Sequence, residues 1–405
     1  MSLNVNQDIH VLHVLNSAHG GSALSTFQLI GELKKRNITS SLVCFNNAHP
    51  AQKEVIEWLV DNRILFIPLY WTNKRIRVKW WKRPLLEMYT LLKTWKGYRY
   101  QNSITALIKM HGINLVHTST LVNPEGAIAA RINKLPHVWH VRELIGPGTY
   151  YQFLNYKKWA AGVSSSASVL VANSTITMKN LLQFFQESKI RYVPNGIDIG
   201  PFLVKNHQVS ENPIVIGMVA NLTSRLKNHE FFIRTAAVFV KDPMLEFRIY
   251  GTLPADDDEY LRHLKSIIDK NQLATKVKFM GHRSSPAEIM KEIDVLFHTT
   301  GLESFGRIFT EAMAGGIPVV AVDQGGALEL IQPEVNGYLV KNNDKEGAAL
   351  QLKKLTDPDI RNVFGRNGRS IVERYYTLER SADQIVELYK EVLSKSEKKL
   401  PIDCL

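Results

Sequence analysis

Within this chain of 405 residues, the stretch LESFGRIFTEAMAGGIPVVAV, residues 302–322, carries the residue types best suited to chemistry. Two carboxylates, Glu303 and Glu311, stand on either side of a Phe-Gly step where a helical pattern begins. Ile308/Ala312 and Phe309/Met313 fall at i,i+4, which gives the helix one apolar face for a sheet, and Gly315-Gly316 stops it. Gly306 in the first turn lets a ligand approach the backbone, and the free N–H groups there attract a phosphate. A ligand with its phosphates at that point could place a sugar at one carboxylate and a ribose at the other. The spacing fits a structural pair at least as well, with Glu303 capping the helix and Glu311 paired to a neighbouring cation.

Elements that would position such residues alternate along the chain. In the first half, residues 9–16, 40–46, 63–69, 114–120, 137–143 and 168–174 read as short strands separated by helical patterns. After VPNGID, residues 193–198, the pattern restarts with strand candidates at 214–220, 245–251, 276–281, 295–300, 317–323 and 336–340. Strands alternating with helices argue for parallel sheets covered on both faces. The expected organisation is α/β, with a Rossmann-like domain over 1–193, a second over 194–374, and a C-terminal helical segment over 375–405 that packs back on the first. Open parallel sheets bind ligands beyond the carboxyl ends of their strands. Two of them facing each other would form a cleft.

Composition narrows the class. Apolar residues make up 45% and charged residues 22%, which suits a folded globular chain. No run of about eighteen apolar residues occurs, and the opening NVNQDIHVLHVLNSAHGG reads as a strand, not an export signal. Cys44 and Cys404 are the only cysteines, too few for a disulfide framework or a cysteine metal site, and the final IDCL is wrong for prenylation. A cytoplasmic location is therefore expected. The net charge of +12 is uneven: residues 1–195 hold 23 Lys+Arg against 9 Asp+Glu, and the remainder 27 against 29. Residues 71–100 alone hold nine basic residues and one acid, Glu87, interleaved with Trp71, Trp80, Trp81, Trp95, Tyr98 and Tyr100. Lys and Arg attract anionic lipid while Trp and Tyr favour the headgroup region, so this segment is expected to dock peripherally on the cytoplasmic membrane. No nucleic-acid motif accompanies it.

The Glu-x7-Glu row in ESFGRIFTEAMAGGIPVVA closely resembles the signature of retaining family 4 glycosyltransferases of GT-B fold. Gly20-Gly21, WHVRE, VANS, VPNGID, GMVANL with KNH, IYG and FMGH follow in that family's order. The resemblance implies that Glu303 binds donor-sugar hydroxyls and that Ser304, Phe305, Gly306 and Arg307 form the donor-binding stretch. Phe305 and Gly306 would offer backbone N–H groups, and Glu311 would hold the ribose. It implies that Gly20 and Gly21 admit the donor diphosphate, a pair that an ordinary strand–helix turn explains as well. Lys227 matches the lysine that neutralises the leaving diphosphate. The family's partner arginine is replaced by Asn221, with one extra residue before the lysine. Arg225 is a substitute charge or a solvated surface arginine. His140 would lie beside the transferred sugar. Arg142 and Glu143 stand either on the acceptor side or in a structural ion pair. Asp256–Asp258 contain a DxD match, but acids ahead of a helix suit its N-terminal dipole, and no metal is assigned.

The implied activity is retaining transfer of a sugar from a UDP- or GDP-sugar to a hydroxyl of a sugar, lipid-linked or polysaccharide acceptor. It would need no metal and no cofactor, because cations and a helix N-terminus can stabilise the leaving group. The alternatives are a sugar-nucleotide epimerase of the same architecture, against which the basic segment weighs, and a non-catalytic subunit, which only the Asn221 departure favours.

Overall fold

Short runs rich in Val, Ile and Leu, most buried in the central strands, build two all-parallel sheets in the computed structural model. It describes residues 8–16, 20–44, 65–68, 101–121, 124–146, 149, 156–209, 211–223 and 225–397. The basic segment 71–100 and Cys404 lie outside the described residues.

The first sheet contains β1 (His10–Leu15), β2 (Thr39–Cys44), β3 (Leu65–Pro68), β4 (Leu115–Ser119), β5 (His137–Val141), β6 (Val169–Ala172) and β7 (Ile190–Tyr192). Their order is β3-β2-β1-β4-β5-β6-β7. The second holds β8 (Ile214–Val219), β9 (Leu245–Tyr250), β10 (Val277–Gly281), β11 (Val295–His298), β12 (Val319–Val322) and β13 (Gly337–Val340), ordered β10-β9-β8-β11-β12-β13. Strand order reverses between β1 and β4 in one sheet and between β8 and β11 in the other. Ligands of open α/β sheets collect at such switch points.

The chain divides into two units. One comprises Met1–Asn173, Thr177–Pro194 and Ser381–Leu405, and the other Ser174–Ile176 and Asn195–Arg380. The crossing after Pro194 falls inside the VPNGID turn. In the first unit, parallel register gives one face to Val11 and His13 of β1, Leu115 and His117 of β4, and Val138 and His140 of β5. Ala382, Ile385, Leu388, Tyr389 and Val392 of the helix Leu378–Glu397 cluster with Val11, Leu115 and Val138. Transferring those apolar side chains from water supplies the main stabilisation of that face.

In the second unit, Phe231 and Phe232 pack with Phe247 and Phe297 on one face of the sheet. On the other, Phe309, Ala312 and Met313 of the helix Arg307–Ala314 join Val215, Leu296, Val319 and Ala321. Helix Pro358–Tyr375 comes close enough that a Cβ on its Gly365 would stand 2.2 Å from the Gly316 carbonyl oxygen. This helix therefore packs tightly against the turn that leads from the helix Arg307–Ala314 into β12. Among the described residues, no helix is long and apolar enough to cross a membrane.

Candidate functional site

The best-developed polar constellation sits at the β8/β11 switch point. β11 ends at His298, and Thr299 and Thr300 follow in the loop. The Thr299 hydroxyl reaches the carbonyl oxygens of Lys227 and Asn228, at 3.1 and 2.9 Å, and the Thr300 hydroxyl reaches that of Lys227 at 3.4 Å. Asn228 takes a left-handed conformation, φ 53°, at the cap of the helix His229–Ala236. The short 3-10 turn Arg225–Lys227 is thereby fastened to the end of β11, 72 residues away in the chain.

Lys227 then pairs with Glu303 through Nζ and Oε1. His298 Nε2 lies 3.4 Å from the same oxygen, and its ring meets Phe309 edge-on at 5.2 Å. Burial pushes the Glu303 carboxyl up, but the His298 hydrogen bond and the Lys227 charge outweigh it and hold the group well below the usual carboxylate range. Glu303 is thus an anion throughout the neutral range. With side chains 32% and 21% exposed, Lys227 and Glu303 keep a solvent-facing side on which a polar ligand can exchange with the pair.

The loop Gly301–Gly306 is shaped from behind by the turn after β12. Gly326 N–H donates to the Glu303 carbonyl oxygen at 2.8 Å. A Cβ at Gly325 would stand 2.4 Å from that oxygen, and one at Gly326 would stand 2.1 Å from the Phe305 carbonyl oxygen. The Ser174 hydroxyl also donates to the Ser304 carbonyl. Phe305 is a buried anchor against Tyr376. No hydrogen bond from the backbone N–H of Phe305 or Gly306 to another described residue is found.

One alternative is overturned, and the other residues singled out in this half of the chain have structural partners. Glu303 does not cap the helix: the cap is Gly306, φ 83°, with no side-chain bond, and the helix begins at Arg307. The carboxylate has turned instead to Lys227. Glu311 is engaged by Arg307 of its own helix at 2.7 Å, the neighbouring-cation pairing that its spacing allowed. Burial raises its carboxyl, and the Arg307 charge and hydrogen bond oppose that. Asn221 ties strand ends together, its Oδ1 accepting from Thr252 N–H at 2.9 Å. Arg225 reaches Glu259 at 2.9 Å and covers the Tyr260 ring at 5.3 Å. Asp258 caps the helix Glu259–Lys270, accepting from Tyr260 and Leu261 N–H at 2.9 and 3.0 Å. His298, Thr299 and Thr300 escaped sequence reasoning, although VLFHTT places all three at a strand end.

In the first unit, Gly20 caps the helix Gly21–Lys35 with φ 88°. A Cβ at Gly20 or Gly21 would meet no atom within 4 Å, so the left-handed backbone alone requires glycine, at Gly20. His140 is buried on β5 beside His117, Nδ1 to Nε2 at 3.2 Å. Glu143 accepts from the backbone N–H of Arg142 at 3.1 Å and of Leu121 at 3.4 Å, linking the ends of β4 and β5. Burial raises its carboxyl, with those hydrogen bonds and one from Thr120 opposing. Arg142 is buried alongside.

The model for Glycosyltransferase Family 4 matches residues 19–200, and that for Glycosyl transferases group 1 matches residues 201–371. A capsular polysaccharide biosynthesis glycosyltransferase of Staphylococcus aureus, CapM, is 24% identical over 58% of this chain and 62% of its own. The UDP-Gal:alpha-D-GlcNAc-diphosphoundecaprenol alpha-1,3-galactosyltransferase of Escherichia coli is 23% identical over 72% of this chain and 79% of its own. Among solved structures, Anabaena HepE in complex with UDP superposes with a TM-score of 0.75 at 22% identity, covering 95% of this chain and 100% of HepE. A Rickettsia africae glycosyltransferase gives 0.77 at 19% identity, over 96% and 99%. With two consecutive models spanning residues 19–371, a Lys–Glu pair at the second sheet's switch point and GT-B enzymes as structural neighbours, the chain belongs to glycosyltransferase family 4 and has the GT-B fold.

Proposed function

We propose that the protein moves a sugar from a UDP- or GDP-sugar to a hydroxyl of a lipid-linked or polysaccharide acceptor, with the anomeric configuration retained and without a metal. The observation that carries this reading is the Lys227–Glu303 pair beside the open N-terminus of the helix Arg307–Ala314. As the diphosphate leaves, negative charge grows on its oxygens. Lys227 and the N–H groups around Gly306 supply positive potential there before the reaction starts, so little reorganisation is needed. Glu303 orients the lysine and accepts hydrogen bonds from sugar hydroxyls. The acceptor attacks from the face the diphosphate leaves, and a leaving-phosphate oxygen takes its proton. Glu303 and Glu311 serve opposite ends of the donor, and neither is a nucleophile.

An acceptor on a lipid diphosphate or a growing polysaccharide accords with the activities that the Escherichia coli and Staphylococcus aureus relatives are named for. The basic, aromatic segment 71–100 would bring the chain to an anionic cytoplasmic surface, and flotation with anionic but not neutral vesicles is its expected signature. The central test incubates the protein with UDP- and GDP-sugars, with and without undecaprenyl-diphosphate-linked sugars, in buffer containing EDTA. Free nucleoside diphosphate released only with acceptor, and a product of retained configuration by NMR, is expected. An epimeric nucleotide sugar made without acceptor, or turnover restored only by a divalent ion, would refute the corresponding half of the proposal. Thermal shifts with UDP and GDP that follow RT ln(1 + [L]/Kd) identify the base.

A further inference from the structure

Three imidazoles line one face of the first sheet: His13 on β1, His117 on β4 and His140 on β5. Adjacent ring centroids are 5.3 Å apart in both steps. His117 uses both nitrogens, Nε2 toward His140 Nδ1 at 3.2 Å and Nδ1 toward the hydroxyl of Tyr389 on the helix Leu378–Glu397. His13 Nε2 meets Ser40 Oγ at 3.3 Å. His140 Nε2 is buried and has no partner among the described residues.

The direction of this chain of hydrogen bonds follows from counting hydrogens. Burial, together with neighbouring imidazoles and the Arg142 charge, keeps His117 and His140 neutral, so each has one N–H and one lone pair. Among the described residues the buried Tyr389 hydroxyl has His117 as its hydrogen-bond partner. If it donates, His117 Nδ1 is the acceptor, His117 Nε2–H donates to His140 Nδ1, and His140 must carry its hydrogen on Nε2. The reverse direction strands the tyrosine hydrogen and also leaves a lone pair unmet at His140 Nε2. Within the Tyr389–His117–His140 chain the first arrangement leaves one unmet group, the Nε2–H of His140; His13 Nδ1, outside that chain, is also buried without a partner among the described residues. A buried unmet donor is costly, and this one sits at the end of an ordered chain of hydrogen bonds near the carboxyl end of β5.

We propose that Tyr389 and His117 are positioning residues that fix His140 as a hydrogen-bond donor, its Nε2–H offered to a sugar-substrate oxygen at the carboxyl end of β5. The inference rests on the glycosyl-transfer reading for its ligand but not for its tautomer. His140 then acts as neither a base nor a cation, and the pH dependence of turnover carries no ionisation from it. His13 within the row, and His137 and Arg142 beside it, add no hydrogen bond to His140 Nε2.

Long-range 1H–15N spectra of the full chain labelled in its histidines test this directly, with His117→Gln and His140→Gln used for assignment. Neutral Nε2–H forms for His117 and His140 at pH 7 are expected. Tyr389→Phe should bring the Nδ1–H form into the His140 signal and lower kcat for UDP release from UDP-glucose about fivefold, the factor one neutral hydrogen bond corresponds to, with KM unchanged. An Nδ1–H or charged His140 in the unmutated chain overturns the proposal, a spectrum that decides even if Tyr389→Phe fails to fold. An unaltered His140 signal in a folded Tyr389→Phe, with only a lower Tm, also overturns it, because that is packing alone. Nε2–H on His140 in a chain that transfers no sugar would refute the functional reading while upholding the tautomer. Transfer activity with Nδ1–H on His140 would do the reverse.

Discussion

The two sheets end in opposite kinds of polar site. At the carboxyl end of β11, charge is kept and matched: Lys227 faces Glu303, both partly exposed, with His298 against the same carboxylate oxygen. On the covered face of the first sheet, charge is excluded: His13, His117 and His140 are buried and held neutral beneath Tyr389. Matched charges near water suit a site that must stabilise a diphosphate. Neutral imidazoles in an apolar setting suit a site that must hold one hydrogen in one place. The price of the second strategy is sensitivity to acid.

Sensitivity to acid should give the largest difference between the units. Burial lowers His13 to about 3 and His137 to about 4, and lowers His117 and His140 well below their ordinary value. A histidine lowered in the folded state binds its proton only on unfolding, so stability is full above about 6.5 and falls as pH drops toward the folded value. Each such group contributes at most about 1.4 kcal/mol per pH unit over that window. In the second unit His229, lowered to about 4, is the comparable case. Glu303, held low, loses its contribution only below about 4.5. Hydrogen exchange between pH 7 and 5 should therefore show β4 and β5 losing protection before β8 and β11. Simultaneous loss would erase the contrast.

Breaking the matched charges comes next. Lys227→Ala or Glu303→Gln should lower kcat about 100- to 1000-fold, the usual effect of removing one preorganised electrostatic partner. The double variant should be little worse than the poorer single one, because each side chain acts through the other. Steady-state kinetics with UDP-sugars measures both. Gly326→Ala tests the shaping from behind. A Cβ 2.1 Å from the Phe305 carbonyl oxygen must move backbone, so thermal unfolding should reveal a loss of about 1–3 kcal/mol and isothermal titration weaker UDP binding. The smallest effect is expected for Arg225→Ala. Its partner Glu259 is 85% exposed and Arg225 itself 61%, so stability should change by under about 0.5 kcal/mol and turnover by less than threefold. A tenfold fall in kcat would instead place Arg225 on the diphosphate, in the role of the arginine that Asn221 replaces.

Much of this frame was legible in the sequence, because a strand buried on both faces announces itself as a run of Val, Ile and Leu. The runs 317–323 and 295–300 read as strands on that basis, and β12 and β11 lie inside them. Helix Arg307–Ala314 and its glycine stop were equally plain from i,i+4 pairs. What the residues do to one another was not. Glu303 could have capped a helix or met a cation, and only the fastening of Lys227 by Thr299, across 72 residues, decides between them. The histidine row was hidden for a similar reason. HVLHVL, LVHTS and HVWHV each contain a histidine two residues after a core position, but β1, β4 and β5 become neighbours only through the sheet order.

The helix that carries Tyr389 rejoins the first unit only after residues 195–380 have been laid down as the second. During synthesis on the ribosome, β1, β4 and β5 are therefore made without their covering helix, which follows an entire second sheet. Until that helix packs, the burial that lowers His13, His117 and His140 is incomplete. The hydrogen on His140 is thus among the last features of the first unit to be set.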